Sequence, residues 1–132
     1  VLALSEKEGM LEFVSDSMTI QDIWKEYWNW IDDYIWEKEI IKETGQWILK
    51  SKEEFEWDFE VYIKSTAGYC VVTYLLAVGD RHLENLLIDW NGHLFHVDFG
   101  FIFGKNPKGK DRWSPDIKIC KEMVSCMGEW YS

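Results

Sequence analysis

Gly79-Asp80-Arg81-His82-Leu83-Glu84-Asn85-Leu86-Leu87-Ile88-Asp89-Trp90-Asn91-Gly92-His93-Leu94-Phe95-His96-Val97-Asp98-Phe99-Gly100 is the stretch on which the fold turns. Its centre predicts a β-hairpin. Leu86-Leu87-Ile88 is a short apolar run of buried-strand type, Asn91-Gly92 is a strong turn signal, and Leu94-Phe95-His96-Val97 returns. An antiparallel hairpin brings the chain back to its starting end. Asn85, just before one strand, and Asp98, just after the other, therefore belong side by side there. An amide oxygen beside a carboxylate suits a hard divalent cation such as Mg²⁺, which keeps several waters and is completed by phosphate oxygens. Asp80 and His82 lie in the loop feeding the same end. They bring a carboxylate and an imidazole to where an acceptor hydroxyl would approach.

Working outward, Phe55 to Val78 predicts a long helix. Phe59, Tyr62, Ile63, Ala67, Cys70, Val71, Tyr74, Leu75 and Val78 keep a helical stripe. Its later half is apolar all round, which predicts burial in a core, and Gly79 is placed to cap its C-terminus. Thr19 to Trp30 also reads as helix, as does the charged and aromatic stretch 32–50, with ill-defined ends there and Gly45 as an interruption. Val1–Leu4 and Met10–Val14 are short apolar runs that fit two hairpin strands or a strand and a helix start; periodicity does not decide. Residues 99–115 carry Gly100, Gly104, Pro107, Gly109 and Pro115 and predict a long loop, and Ile117 to Met127 a final helix.

The 132 residues carry a net charge of −10. Residues 1–60 hold 16 acidic and 6 basic side chains, and residues 61–132 hold 8 of each, so the imbalance lies wholly in the first half. That argues against a nucleic-acid partner, which needs a basic face to replace phosphate counterions. It also argues against an unaided polybasic membrane anchor. The apolar run from Ala67 to Val78 is too short for a membrane span, which needs about 20 residues. No secretory signal opens the chain, and Val1 in place of Met suggests a fragment or excised domain. Cys70, Cys120 and Cys126 are odd in number and lack CxxC spacing, so reduced thiols in an intracellular protein are the expectation. The six tryptophans from Trp24 to Trp57 sit in densely acidic sequence and read as core plus partner-facing surface.

The central stretch has the parts of kinase-type phosphoryl transfer. Protein kinases place a catalytic-loop Asp five positions before a metal-binding Asn, followed by a metal-binding Asp in D-F-G. Asp80 stands five positions before Asn85, and Asp98-Phe99-Gly100 follows the hairpin. The loop order is reversed, however: D-R-H here, against H-R-D in protein kinases. Taken singly, D-R-H, an Asp before Phe-Gly, or a lone histidine is weak. Their joint agreement with the hairpin geometry is not.

Gly79-Asp80-Arg81-His82, Asn85 and Asp98-Phe99-Gly100 resemble the catalytic lobe of phosphatidylinositol 3- and 4-kinases. Ser65 to Leu76, Val78 to Leu83 and Lys121-Glu122-Met123-Val124 resemble the class III phosphatidylinositol 3-kinases most closely. The likeness is specific over 61–104 and 117–128, weak in 1–30 and absent in 31–58. It implies an α+β chain: the mainly helical C-lobe of a protein-kinase-like fold, with a short β-hairpin carrying the catalytic and DFG loops. Residues 1–132 would be a partial catalytic domain whose N-lobe lies elsewhere, and 99–117 its activation loop.

The same resemblance implies roles. His82 would deprotonate the inositol hydroxyl or stabilise the transferring phosphate, and Asp80 would position loop and acceptor. Asn85 and Asp98 would ligate Mg²⁺, or Mn²⁺ in its place, and Leu87 and Val97 would line the adenine pocket of ATP. His96 would support the loop or the acceptor. Lys105, Lys108, Lys110 and Arg112, set against Asp111, give residues 105–112 of the activation loop a local charge of +3 that suits an anionic lipid headgroup. From charge alone an ordinary solvated loop fits equally.

Glu84 replaces the usual class III Asp, which keeps the charge. The loop ending Trp113-Ser114-Pro115-Asp116-Ile117-Lys118 looks closer to type III phosphatidylinositol 4-kinases, so the 3- and 4-positions both remain open. No G-x-G-x-x-G or G-x-x-x-x-G-K is present, nor a phosphate-gripping strand lysine. The expectation is therefore half of an active-site cleft, inactive alone. It would act on phosphatidylinositol in a membrane surface with an N-lobe and regulatory subunits, on endosomal or other internal membranes in trafficking and autophagy. The competing readings are a non-catalytic kinase-lobe module and a related protein-serine/threonine kinase.

Overall fold

The structure, a computed structural model, describes residues 2–6, 8–26, 31, 35, 37–41, 46–49, 51–107 and 117–127. In chain order the elements are β1 (Leu2–Ala3), β2 (Gly9–Met10), β3 (Ser17–Thr19), α1 (Ile20–Glu26), β4 (Glu37–Ile41), β5 (Gln46–Leu49), α2 (Lys52–Leu75), β6 (Leu86–Asp89), β7 (Leu94–His96) and α3 (Lys121–Met127). Helices and small antiparallel sheets together make an α+β architecture.

The predicted hairpin forms from β6 and β7, with Leu86 opposite His96 and Ile88 opposite Leu94. Its turn spans more than Asn91-Gly92. Asp89 anchors it, its Oδ1 accepting from the backbone N–H groups of Asn91 and His93 at 2.9 Å each. Gly92 takes φ +83 and is pressed onto α2, where a Cβ would stand 2.1 Å from the Asp58 carbonyl oxygen. A further tie crosses the same face: the Leu94 N–H donates to Ser65 Oγ at 2.9 Å.

The hairpin has a third strand that composition did not announce. β3 pairs antiparallel with β6, giving the order β3-β6-β7. Inward-facing Leu86, Ile88 and Leu94 meet Ile20 and Ile23 of α1, Tyr62 of α2, and Met123, Cys126 and Met127 of α3 in one buried cluster that also takes in Ile31 and Ile35. The strand period of two and the helix period of 3.6 converge there, which fixes the hairpin against α1 and α2.

Helix α2 begins at Lys52, three residues before the Phe55 that its apolar stripe suggested. Ser51 caps it with a full capping box: Ser51 Oγ accepts from the Glu54 N–H at 3.2 Å, and Glu54 Oε2 accepts from the Ser51 N–H at 2.9 Å. It ends at Leu75, before the expected Gly79. Ala77 takes the left-handed position at φ +45, and the N–H groups of Val78 and Ala77 bond back to the carbonyls of Thr73 and Tyr74, each at 3.0 Å. That is a Schellman closure with alanine in the place glycine usually takes.

Other expectations are corrected. The later half of α2 is not enclosed: Val71 is 56% exposed and Leu75 71%. Composition showed that this face is apolar, not what covers it. Within the helix expected over 32–50, Ile35 is helical, but Glu37–Ile41 and Gln46–Leu49 form β4 and β5, an antiparallel pair with an irregularity between Glu37 and Glu39; 32–34, 36, 42–45 and 50 lie outside the described residues. Ile40, Ile41, Trp47 and Ile48 are β-branched or aromatic and favour a pleated surface. The final helix begins at Lys121, not Ile117. Helix α1 follows the expectation to Glu26, and 27–30 lie outside the described residues. Of the two short apolar runs at the start of the chain, Leu2–Ala3 pairs antiparallel with Gly9–Met10, Leu2 opposite Met10, while 11–14 lie in no strand and Val1 lies outside the described residues. Residues 99–107 are loop, as expected, whereas Val97, expected in the returning strand, lies one residue past the end of β7; 108–116 lie outside the described residues. Among the described residues no helix is long and apolar enough to cross a membrane, and the cysteines are free thiols.

Candidate active site

The open end of the hairpin gathers the residues that carry chemistry. The Val97 N–H donates to the Asn85 carbonyl at 2.9 Å, continuing the ladder one step past the strands. Asn85 and Asp98 are thereby brought to the same end. Asn85 is buried, and its Nδ2 has no hydrogen-bond partner among the described residues. Asp98 is exposed at φ +61, a left-handed conformation that short polar residues tolerate, with its Oδ1 accepting from the Gly100 N–H at 3.0 Å.

The Asp80–Glu84 loop lies against this end. His82 is half exposed and stands between two carboxylates, with Nε2 3.7 Å from Asp80 Oδ1 and Nδ1 4.0 Å from Glu84 Oε2. Glu84 is held in turn by Gln21 of α1, whose Nε2 donates to Glu84 Oε1 at 2.8 Å. The Asn85 N–H closes the loop onto the His82 carbonyl at 3.0 Å. Arg81 is buried, and Lys118 donates from Nζ to its carbonyl at 3.1 Å.

His96 lies beneath the loop and is almost fully buried. Its Nε2 is 2.8 Å from the Asp80 carbonyl oxygen, and its ring centroid is 5.1 Å from that of Phe99. Burial pushes its pKa below the ordinary imidazole value, against the opposing pull of the Asp80 carbonyl and of the Asp80 and Asp98 charges. The ring is therefore neutral, and Nε2, facing a carbonyl, carries the proton.

The segment after D-F-G is sewn to the end of α2. Gly79 N–H donates to the Phe101 carbonyl at 2.8 Å, Phe103 N–H to Leu76 at 2.7 Å, and Gly104 N–H to Ala77 at 3.2 Å. The start of the catalytic loop and the start of the following loop thus share one backbone junction.

The structure brings Asp80, His82, Asn85 and Asp98 to one end of the hairpin. Leu87 is half-buried in β6, Val97 is exposed next to Asn85, and Lys105 is exposed beyond the junction. Lys108, Lys110 and Arg112 lie outside the described residues. Gln21 was missed, because a polar residue in the first turn of a helix gives no local signal of a partner 63 residues away. Gly79 was assigned to capping, whereas its use is close backbone approach. Among the described residues, no group of three or more His, Cys, Asp or Glu side chains could hold a metal by itself. The donors present are hard oxygens, one carboxylate from Asp98 and one amide from buried Asn85. That set fits a Mg²⁺ completed by phosphate and water.

The family model for phosphatidylinositol 3- and 4-kinases matches residues 1–130. A phosphatidylinositol 3-kinase of Glycine max, the nodule isoform, is 44% identical over 139 residues, covering 97% of this chain and 14% of that protein. Phosphatidylinositol 3-kinase VPS34 of Arabidopsis thaliana is 42% identical over 128 residues, with 97% and 14% covered. Its namesake in Saccharomyces cerevisiae is 36% identical over 132 residues, with 97% and 13% covered. The matched span takes in 31–58. The chain spans 13–14% of the length of these relatives.

Proposed function

Because the chain belongs to the phosphatidylinositol 3- and 4-kinase family, we propose that it is the C-lobe part of an ATP-dependent lipid kinase acting on the inositol ring of phosphatidylinositol, with the 3-position favoured. The observation that carries this reading is the meeting of Asn85, Asp98 and the Asp80–His82 loop at one hairpin end. The names of the relatives, phosphatidylinositol 3-kinases, support the substrate.

His82 is the half-exposed imidazole of the loop, accessible to an incoming hydroxyl. It takes the proton of the inositol hydroxyl, or donates to the transferring phosphoryl group. Asp80 orients the loop and the acceptor. Asn85 and Asp98 would hold Mg²⁺ or Mn²⁺, which when bound with ATP neutralises charge building on the β- and γ-phosphates. Leu87 and Val97 face the adenine. Residues 99–117 act as the activation loop, with Lys105, Lys108, Lys110 and Arg112 meeting the anionic headgroup. An N-lobe supplies the phosphate-covering loop and the strand lysine. The whole enzyme works at endosomal or other internal membranes with regulatory subunits. The Trp113-Ser114-Pro115-Asp116 ending keeps the 4-position as the second reading.

The test is lipid phosphorylation by the full-length protein. Asp98→Ala is expected to abolish Mg-ATP-dependent turnover while the fold survives. Normal turnover in that variant refutes the metal assignment. Product analysis on phosphatidylinositol separates 3-phosphate from 4-phosphate, and phosphorylation by the isolated 132 residues refutes the need for an N-lobe.

A further inference from the structure

Gln21 grips the Asp80–Glu84 loop at two consecutive residues. Its backbone N–H belongs to the first turn of α1, where donors have no acceptor within the helix, and it donates to the Leu83 carbonyl at 3.4 Å. Its Nε2 donates to Glu84 Oε1 at 2.8 Å. The base of this grip is rigid. Thr19 caps α1, its Oγ1 accepting from the Asp22 N–H at 3.0 Å, and it pairs with Leu87 of β6. Ile20 and Ile23, which flank Gln21, are fully buried. The loop's main chain is pinned from other directions as well, by Lys118 Nζ on the Arg81 carbonyl and by the Asn85 N–H on the His82 carbonyl.

What those bonds leave open is the direction of the His82 ring. It is 49% exposed, and the carboxylates of Asp80 and Glu84 flank it at 3.7 and 4.0 Å, too far for hydrogen bonds but close enough to orient a polar ring. Glu84 is the more exposed of the two, at 60% against 17%. A long side chain at the surface keeps one direction only where a partner holds it. Gln21 is that partner.

We propose that Gln21 is a positioning residue for phosphoryl transfer: its carboxamide holds Glu84, and Glu84 with Asp80 sets the His82 ring toward the acceptor hydroxyl. This role rests on the lipid-kinase reading and concerns placement alone; no proton passes through Gln21 or Glu84. Transfer is sensitive to small misplacements of the reacting groups, so loosening a strut outside the site costs rate. The nucleotide is held at the other side of the site, by Asn85 and Asp98, so its binding is spared.

The experiment measures lipid phosphorylation by the full-length protein carrying Gln21→Leu, Gln21→Glu, or Gln21→Glu together with Glu84→Gln. The first keeps the bulk and loses the donor. The second sets a carboxylate against that of Glu84. The double exchange rebuilds the bond with its direction reversed. Each single variant is expected to lose about tenfold or more in kcat, with KM for ATP within about twofold of wild type. Hydrogen exchange at the Asn85 amide should quicken about threefold or more while that at Ile88 stays as it is. The double variant should regain about threefold or more in kcat over Gln21→Glu alone. Wild-type kcat in both single variants overturns the proposal. So does a double variant no faster than Gln21→Glu, which would make position 21 structural. If Gln21→Leu does not fold, Gln21→Glu and the double variant decide the matter. A wild-type protein inert on lipid overturns the kinase reading and the positioning role together, and exchange at the Asn85 amide then upholds or overturns the grip itself.

Discussion

Gly79 lies so close to Lys105 that a Cβ on the glycine would stand 2.1 Å from the lysine carbonyl oxygen. Two loops that must act together are thus in backbone contact, bonded through Gly79 N–H and Phe101, Phe103 N–H and Leu76, and Gly104 N–H and Ala77. No side chain can be accommodated there without moving main chain.

Gly79→Ala is therefore expected to part the two loops. Overpacking a filled site costs about 1–3 kcal/mol, and the obstacle here is backbone, which yields less readily than a side chain. Amide exchange at Phe103 and Gly104 should rise while exchange in β6 stays as it is. Unaltered exchange at both amides would show that the junction does not depend on the missing Cβ.

Ser65 gives a second test of how the hairpin is seated. Its Oγ accepts from the Leu94 N–H at 2.9 Å and donates to the Tyr62 carbonyl at 3.1 Å. Ser65→Ala leaves the N–H of fully buried Leu94 unpaired, at an expected cost of about 1–3 kcal/mol. Ser51→Ala, at the exposed start of α2, loses a cap worth about 1 kcal/mol. Denaturant unfolding of the two variants should rank them in that order, and an equal or reversed ranking would count against the Ser65 bridge.

What could be read in advance was local. Asn91-Gly92 between short apolar runs is a turn signal complete within a dozen residues, so β6 and β7 were legible, and with them the meeting of Asn85 and Asp98. The stripe from Phe59 to Leu75 announced α2 for the same reason. Ser17-Met18-Thr19 is a strand because the free edge of β6 accepts it, with Thr19 opposite Leu87, and that edge lies nearly 70 residues away. The His96–Asp80 and Gln21–Glu84 bonds are likewise products of the assembled fold. The misreading of 37–49 has another origin. Charged and aromatic residues with Ile and Trp interleaved suggested a helix, but Ile40 is in register with Trp47 across β4 and β5, and strand pairing outweighed that pattern.

Cys120 should be an unreactive thiol. Burial pushes its pKa from 9.0 up to about 12, and burial raises that of Cys70 as well. The thiolate is the nucleophile, so alkylation of Cys120 in the native protein is expected to stay slow through pH 9 and to quicken on unfolding. The linkage has a definite sign. Above pH 9 the unfolded chain releases a proton that the folded chain keeps, so stability falls as pH rises from 9 toward 12, by at most about 1.4 kcal/mol per pH unit from this group. Mass-spectrometric footprinting with iodoacetamide across that range checks both statements. Rapid native labelling at pH 8 would contradict them.

Asn85 separates stability from function most sharply. It is buried, its Nδ2 has no partner among the described residues, and an unsatisfied buried donor costs about 1–3 kcal/mol. A fold optimised for stability alone would not keep an amide there, and strain held at a site points to use. Asn85→Ala removes that donor together with the oxygen assigned to the metal. The small cavity it leaves opposes the gain, so the unfolding free energy is expected to stay within about 1 kcal/mol of wild type. Mg-ATP-dependent turnover of the full-length protein should fall at least a hundredfold, and Asn85→Asp, which restores an oxygen ligand, should recover part of it with a higher optimal metal concentration or a preference for Mn²⁺. A large loss of stability with proportionate loss of activity would instead make Asn85 a structural residue, and the metal site would have to be sought elsewhere.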